Sequence, residues 1–263
     1  MSHSNTCLNC NEPVSKKFCP NCGQKTDTHR ITFKHFILHD ILHGVWHFEK
    51  GILFTLKESL LRPGKAALDY ICGKRIKYYN VFYLTLLIIA LNLFLSHYYD
   101  VFAEKFLGVN EVENSNRNVT GKLLDAFLTE NVKLIIFSFI PLFAINSFLI
   151  FRKRKLNFSE HFIIAGMIFL GVLTIVTIGS VLSFFDFVKY ADIISSLNDY
   201  IGPILILLFI IKNYYSTFKE SYSFLKISWR LLLFTLLPII EFVIFIVILM
   251  GIFTNWKFGR ISY

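Results

Sequence analysis

Nothing in the 263 residues reads as a P-loop, a glycine-rich dinucleotide fingerprint or a nucleophile elbow. The forms of phosphate-cradling, redox and acyl-transfer chemistry most easily read from a sequence therefore have no foothold here. The first 30 residues contain no central apolar run, so no cleavable signal peptide is expected and the first long apolar segment must itself direct insertion. An inverted repeat of the kind that organises many transporters is also missing. Charge is scarce too, at 17% of the chain, while 54% is hydrophobic, 29 residues are Phe and the mean hydropathy is +0.54. That balance excludes an ordinary soluble domain of this length.

Five stretches are apolar enough to cross a bilayer core, which takes about 20 residues. They centre on the segments beginning at Val81, Val132, Phe162, Ile201 and Leu231. The fourth reaches full length only by recruiting 193–200 or 212–215. The fold class expected is an all-α membrane protein of about five transmembrane helices. The net charge of +9 is explained by position. Twelve Lys and Arg precede the first span, Arg152 to Lys155 follow the second, and Lys212, Lys219, Lys226 and Arg230 lie between the fourth and fifth. The loop from Ser96 to Asn131 carries six acids against three bases, and that from Phe185 to Tyr200 three acids against one Lys. Basic and acidic loops alternate with the spans, the positive-inside pattern. This places the N-terminus in the cytoplasm and, with five crossings, the C-terminus outside. It also accounts for the basic excess without a nucleic-acid partner.

The N-terminal segment "CLNCNEPVSKKFCPNCGQK" pairs Cys7-x2-Cys10 with Cys19-x2-Cys22. Two such knuckles can close a tetrahedral site of four sulfurs, and Gly23 suits the turn after the second. Disulfides are the competing reading, but cytoplasmic thiols stay reduced. Zinc is therefore the expected ion. With four Cys ligands it has no open position, so its role is structural. Cys72 stands alone beside the membrane as a small apolar filler. The ribbon is expected over 1–28, amphipathic helices over 29–80, the spanning domain over 81–255 and a tail over 256–263.

Between ribbon and membrane, Ile37, Leu38, Ile41, Leu42, Val45 and Phe48 gather on one helical arc. His35, His39, His43 and His47 run along its edge. Gly51 is expected to break that helix, Pro63 to open another and Gly73 to end it. These helices are expected in the interface plane or packed under the bundle. Lys74, Arg75 and Lys77 then precede the first span, as anchors of topology or as contacts for anionic lipid.

The succession "CPNCGQK", "RITFKHF", "GILFTLKESLLRPGKAALDYICGKRIKYYN" and "SEHF" resembles bacterial zinc-ribbon membrane proteins that carry a domain of unknown function. The resemblance implies the architecture and a bacterial inner membrane, with the C-terminus then in the periplasm, and no reaction. One departure is Asn80, where a Pro would be expected.

Two function classes follow. The first is a membrane-anchored binding or scaffold protein whose ribbon or interfacial helices receive a cytoplasmic protein partner or organise the lipid bilayer. The second is a membrane-embedded enzyme or transporter for a lipid or small solute, built on His39, His43, His47, Glu160 and His161, or on Glu241. Against it, no HxxHH occurs, and imidazoles suit the waterline of an interfacial helix as an edge or as a proton-responsive contact. Glu241 lies inside the fifth span, where an ionisable group is costly and marks a functional candidate. It can equally hydrogen-bond Asn92 or Asn146 as helix glue. Substrate and oligomeric state have no sequence signature here.

Overall fold

The computed structural model describes residues 6–26, 51–107, 119–188, 192–254 and 256. Among these residues eight α-helices follow the ribbon: α1 (Ile52–Leu61), α2 (Pro63–Ile71), α3 (Val81–Leu107), α4 (Val119–Glu130), α5 (Val132–Ile150), α6 (Phe158–Ser183), α7 (Asp192–Phe218) and α8 (Phe224–Phe253). Among the described residues the only β-type pairings are two isolated bridges, Thr6 with Pro13 and Phe18 with Lys25. The protein is all-α, and five of its helices are long and apolar enough to cross a membrane. The helix of the fourth span takes in both flanks, since α7 runs unbroken from Asp192 to Phe218, and the stretch apolar enough to cross begins at Tyr200.

Local chemistry sets several boundaries. Gly51 precedes α1 at φ 140, and a Cβ there would stand 3.0 Å from the Lys77 carbonyl, so the site needs glycine. Pro63 occupies the first position of α2, where its missing N–H costs nothing. Gly73 takes a positive φ just past its end. Asn80 accepts from the Phe82 amide at 3.0 Å, so it caps the start of α3 in a way the expected Pro could not. Pro238 lies inside α8, which continues through it. Spanning helices tolerate proline where neighbours satisfy the freed carbonyl.

The centre of the fold is α6. It opens on a reciprocal capping box: Asn157 Oδ1 accepts from the Glu160 amide at 2.9 Å, and Glu160 Oε2 from the Asn157 amide at 2.7 Å. Its first half is buried almost all round by α1, α2, α3, α5 and α7. Small residues permit this approach. The Phe82 ring of α3 lies 3.1 Å from where a Gly166 Cβ would be, and the Ser59 carbonyl of α1 sits directly on Gly171. Gly64 of α2 meets α7 at Asn213 and Thr217 in the same way.

These contacts place α1 and α2 within the bundle. Gly171 lies five residues beyond Gly166, about 7 Å further along α6 at 1.5 Å per residue, so the end of α1 reaches past the first turn of α3. The outer face of the bundle is apolar, with Leu86, Phe94, Ile204, Leu208, Ile240 and Ile244 all exposed. An apolar surface of this extent suits lipid tails and would be exceptional in water.

Candidate functional site

The four ribbon cysteines come together. Their sulfurs all lie within 4.8 Å of one another, with Cys7 to Cys22 and Cys10 to Cys19 at 3.6 Å. A disulfide would need about 2.05 Å, whereas thiolates about 2.3 Å from one ion in a tetrahedron stand about 3.8 Å apart. The donor set therefore fits a metal ion. Each knuckle folds the same way: the Cys7 amide donates to Glu12 O and the Asn11 amide to Cys7 O. The Cys19 amide donates to Gln24 O and the Gly23 amide to Cys19 O. The residue after each second cysteine is left-handed, Asn11 at φ 61 and Gly23 at φ 73. Only glycine and asparagine visit that region at low cost. The thiols are unequal. The Asn9 side chain leads the interactions that hold Cys22 down to about 6. Against the Glu12 backbone, which favours its thiolate, burial and the neighbouring thiols push Cys10 up to about 12. Four sulfurs this close cannot all ionise unless a cation shares them.

The ribbon is docked on the spanning domain. Gln24 is buried, its Nε2 donating to the Gly73 carbonyl and its Oε1 accepting from the Ile76 amide at 3.4 Å. Both atoms of one amide thus read the backbone of the loop ahead of α3. Leu8 of the first knuckle covers Gly73, where a Cβ would come within 2.6 Å of Leu8 Cδ1. Thr55 Oγ1 accepts from the Tyr79 amide at 2.8 Å, tying the same loop to α1.

The other predicted residues have varied fates. His35, His39, His43 and His47 lie outside the described residues. Glu160 is committed to the α6 cap. His161 is buried, its Nδ1 2.7 Å from Ser147 Oγ and its ring stacked on Phe218, with Nε2 lacking a hydrogen-bond partner. Glu241 Oε2 accepts from Asn146 Nδ2 at 2.8 Å, while Asn92 instead donates to Thr177 at 2.8 Å. Asn146 and Ser147 are consecutive on α5, so one turn of that helix holds Glu241 of α8 and His161 of α6. Lys74 pairs with Asp69 at 3.0 Å, Arg75 lies over the Tyr70 ring at 5.6 Å, and Lys77 is exposed.

Sequence reasoning missed three features. One is the Gln24 clamp. Another is Glu58, buried in α1 and salt-bridged to Arg62 at 2.7 Å, which raises the Arg62 pKa through that hydrogen bond. The third is a polar seam at the far end of the bundle, where Asn92, Thr177 and Ser180 interact and Tyr99 donates to Asp186 at 2.6 Å. Thr174, Thr177, Ser180 and Ser183, spaced every three residues along α6, were the readable signal for it.

The model of a family described as "protein of unknown function (DUF3667)" matches residues 49–91. That stretch covers α1, α2, the docking loop and the start of α3. No curated protein and no solved structure matches the chain. The chain thus joins a stretch similar to a domain of unknown function to a helical bundle suited to a membrane and a cysteine cluster suited to a metal ion.

Proposed function

We propose that this protein is a membrane-anchored binding or scaffold protein of a bacterial inner membrane, similar to zinc-ribbon membrane proteins. Its ribbon is a fixed head on the cytoplasmic face. The observation that carries this reading is the Gln24 clamp on Gly73 and Ile76, which makes the ribbon part of the spanning domain's surface. Cys7, Cys10, Cys19 and Cys22 would hold zinc and leave no coordination position for a substrate, so the ion orders the ribbon and performs no turnover. The turn of Arg152 to Lys155 opens directly into α6 at the end that carries the ribbon, in keeping with a cytoplasmic assignment for that end. Exposed ribbon side chains such as Lys16, Lys17 and Phe18 offer a surface for a cytoplasmic protein, and Lys77 one for anionic lipid.

The alternative is a membrane-embedded enzyme or transporter using the histidines with Glu160 and His161, or Glu241. Partners found for Glu160, His161 and Glu241 favour the scaffold, since each engages a neighbouring residue as cap or interhelical contact. Metal content per chain, measured by plasma mass spectrometry on detergent-purified protein, separates the two. One zinc, lost in Cys10→Ser and kept in His39→Ala/His43→Ala, is expected. A second metal that leaves with the histidines would overturn the scaffold reading.

A further inference from the structure

Between α7 and α8, at the end of the bundle that carries the ribbon, lies an open cleft of about 830 Å³, within the size range of small-molecule sites. Its floor is Ile175 of α6, and Leu205, Leu208 and Leu232 line its length. At one end stand Lys212 and Tyr215 of α7. Among the described residues Lys212 is the one charged residue in the lining, it is exposed, and no acid lines the cleft. Its neighbour Asn213 lies at the α2 contact, through Gly64. The cation therefore sits at the depth of the docked helices, while Ile175 and Leu205 lie deeper along the spans. A cation and a phenol above an apolar trough match an amphiphile with an anionic head and hydrocarbon chains. A free phosphate would leave the trough unfilled.

We propose that this cleft is a binding site for an anionic phospholipid, with the phosphate held by Lys212 and Tyr215 and an acyl chain laid along Leu205, Leu208, Leu232 and Ile175. The lysine stem lies on apolar surface while its ammonium reaches the headgroup level. The site rests on the bundle spanning a bilayer and is independent of the metal ribbon.

The test uses the full-length chain, delipidated in detergent and titrated with dioleoylphosphatidylglycerol or dioleoylphosphatidylcholine. Retained lipid per chain is read by native mass spectrometry and the thermal midpoint is followed in parallel. The native protein is expected to retain and be stabilised by phosphatidylglycerol over phosphatidylcholine. Lys212→Gln should lose about fivefold of that preference, in line with the worth of one Lys at a membrane surface, and Lys212→Arg should keep most of it. Leu208→Trp should reduce retention of both lipids, and Cys10→Ser should retain the preference, which separates this site from the ribbon. Equal retention of the two lipids, or an unchanged preference in Lys212→Gln, would overturn the assignment. So would the same midpoint shift from glycerol phosphate alone, or a change of oligomeric state in Leu208→Trp with lipid retention intact, which would give the cleft to a second copy.

Discussion

Helices α6 and α8 are both long, both apolar and both suited to crossing a membrane, yet 61% of the most apolar stretch of α6 is buried and only 11% of that of α8. The more apolar of the two is the less buried. In water the reverse would be expected, because apolarity is what drives a helix into a core. In a bilayer the tails are as apolar as leucine, so hydrophobicity marks contact with lipid. The central helix is chosen by small residues and polar contacts that let backbones close on one another. Ala165, Gly166 and Gly171 do this for α6, and its capping box fixes where it begins. The α8 helix has Ser223 at its start with no side-chain cap bond, and its exposed face is Ile and Val at positions 239, 240, 243, 244 and 247.

The largest test of this contrast lies within α6 itself. A Cβ at Gly171 would run into the backbone carbonyl of Ser59 and stand 2.7 Å from the Phe209 ring. Backbone cannot step aside, so Gly171→Ala is expected to destabilise by roughly 1–3 kcal/mol and to loosen α1. At Gly179 the obstacle is the Asn198 amide at 2.7 Å, the far end of a side chain that can swing away, and Gly179→Ala should cost below about 1 kcal/mol. Unfolding by sodium dodecyl sulfate titration from mixed micelles reads both. Equal losses would mean that the buried half of α6 is no tighter than the half nearer the polar seam. A smaller difference is expected at the helix starts. Asn157→Ala should lose about 1 kcal/mol and Ser223→Ala close to nothing, because only the first side chain bonds the backbone it caps.

Docking of the ribbon gives an effect of similar size to the Gly171 contact. Gln24→Ala removes a bonded amide that is 3% exposed and leaves the Gly73 carbonyl and the Ile76 amide to find other partners. A loss of about 1–3 kcal/mol is expected for unmade buried hydrogen bonds. The metal should stay bound, because Gln24 contributes only backbone to its knuckle. Protease cleavage between ribbon and α1, measured at full metal occupancy, should speed up in Gln24→Ala. Unchanged cleavage would mean that Leu8 alone holds the ribbon in place.

What could be read in advance follows the range of each interaction. Long apolar runs and a twice-repeated Cys-x2-Cys are local patterns, so the long apolar helices and the cysteine cluster were legible. Pro63 and Gly73 mark the ends of α2 for reasons confined to one or two residues. The Gln24 clamp joins positions 49 residues apart, and nothing in "CGQK" says which backbone the amide will meet. Gly171 likewise gains its role from the Ser59 carbonyl brought against it by α1, which periodicity alone had assigned to the interface or beneath the bundle. His161 was legible as a polar residue entering the third span. Its partner Ser147 was not, because serine mid-span ordinarily bonds its own helix. The seam on α6 is the one feature whose threefold spacing was in plain view.

Glu241 carries a small expected effect and the sharpest question about the edge helix. It is the acidic residue within α8, and its hydrogen bond among the described residues crosses to Asn146, which is 1% exposed on α5. If the pair is helix glue, the consequence of breaking it falls on Asn146, whose amide would be left in an apolar interior. Glu241→Gln keeps a carbonyl oxygen to accept from Asn146 and should be close to neutral. Glu241→Leu removes the acceptor and should cost about 0.6 kcal/mol, the average for interhelical hydrogen bonds in membrane proteins, with about 1.7 as the upper range. The same detergent titration distinguishes them. A Gln variant as unstable as the Leu variant would show that the carboxylate supplies more than an acceptor, and would place a charge or a transferable proton on the least buried of the five long apolar helices.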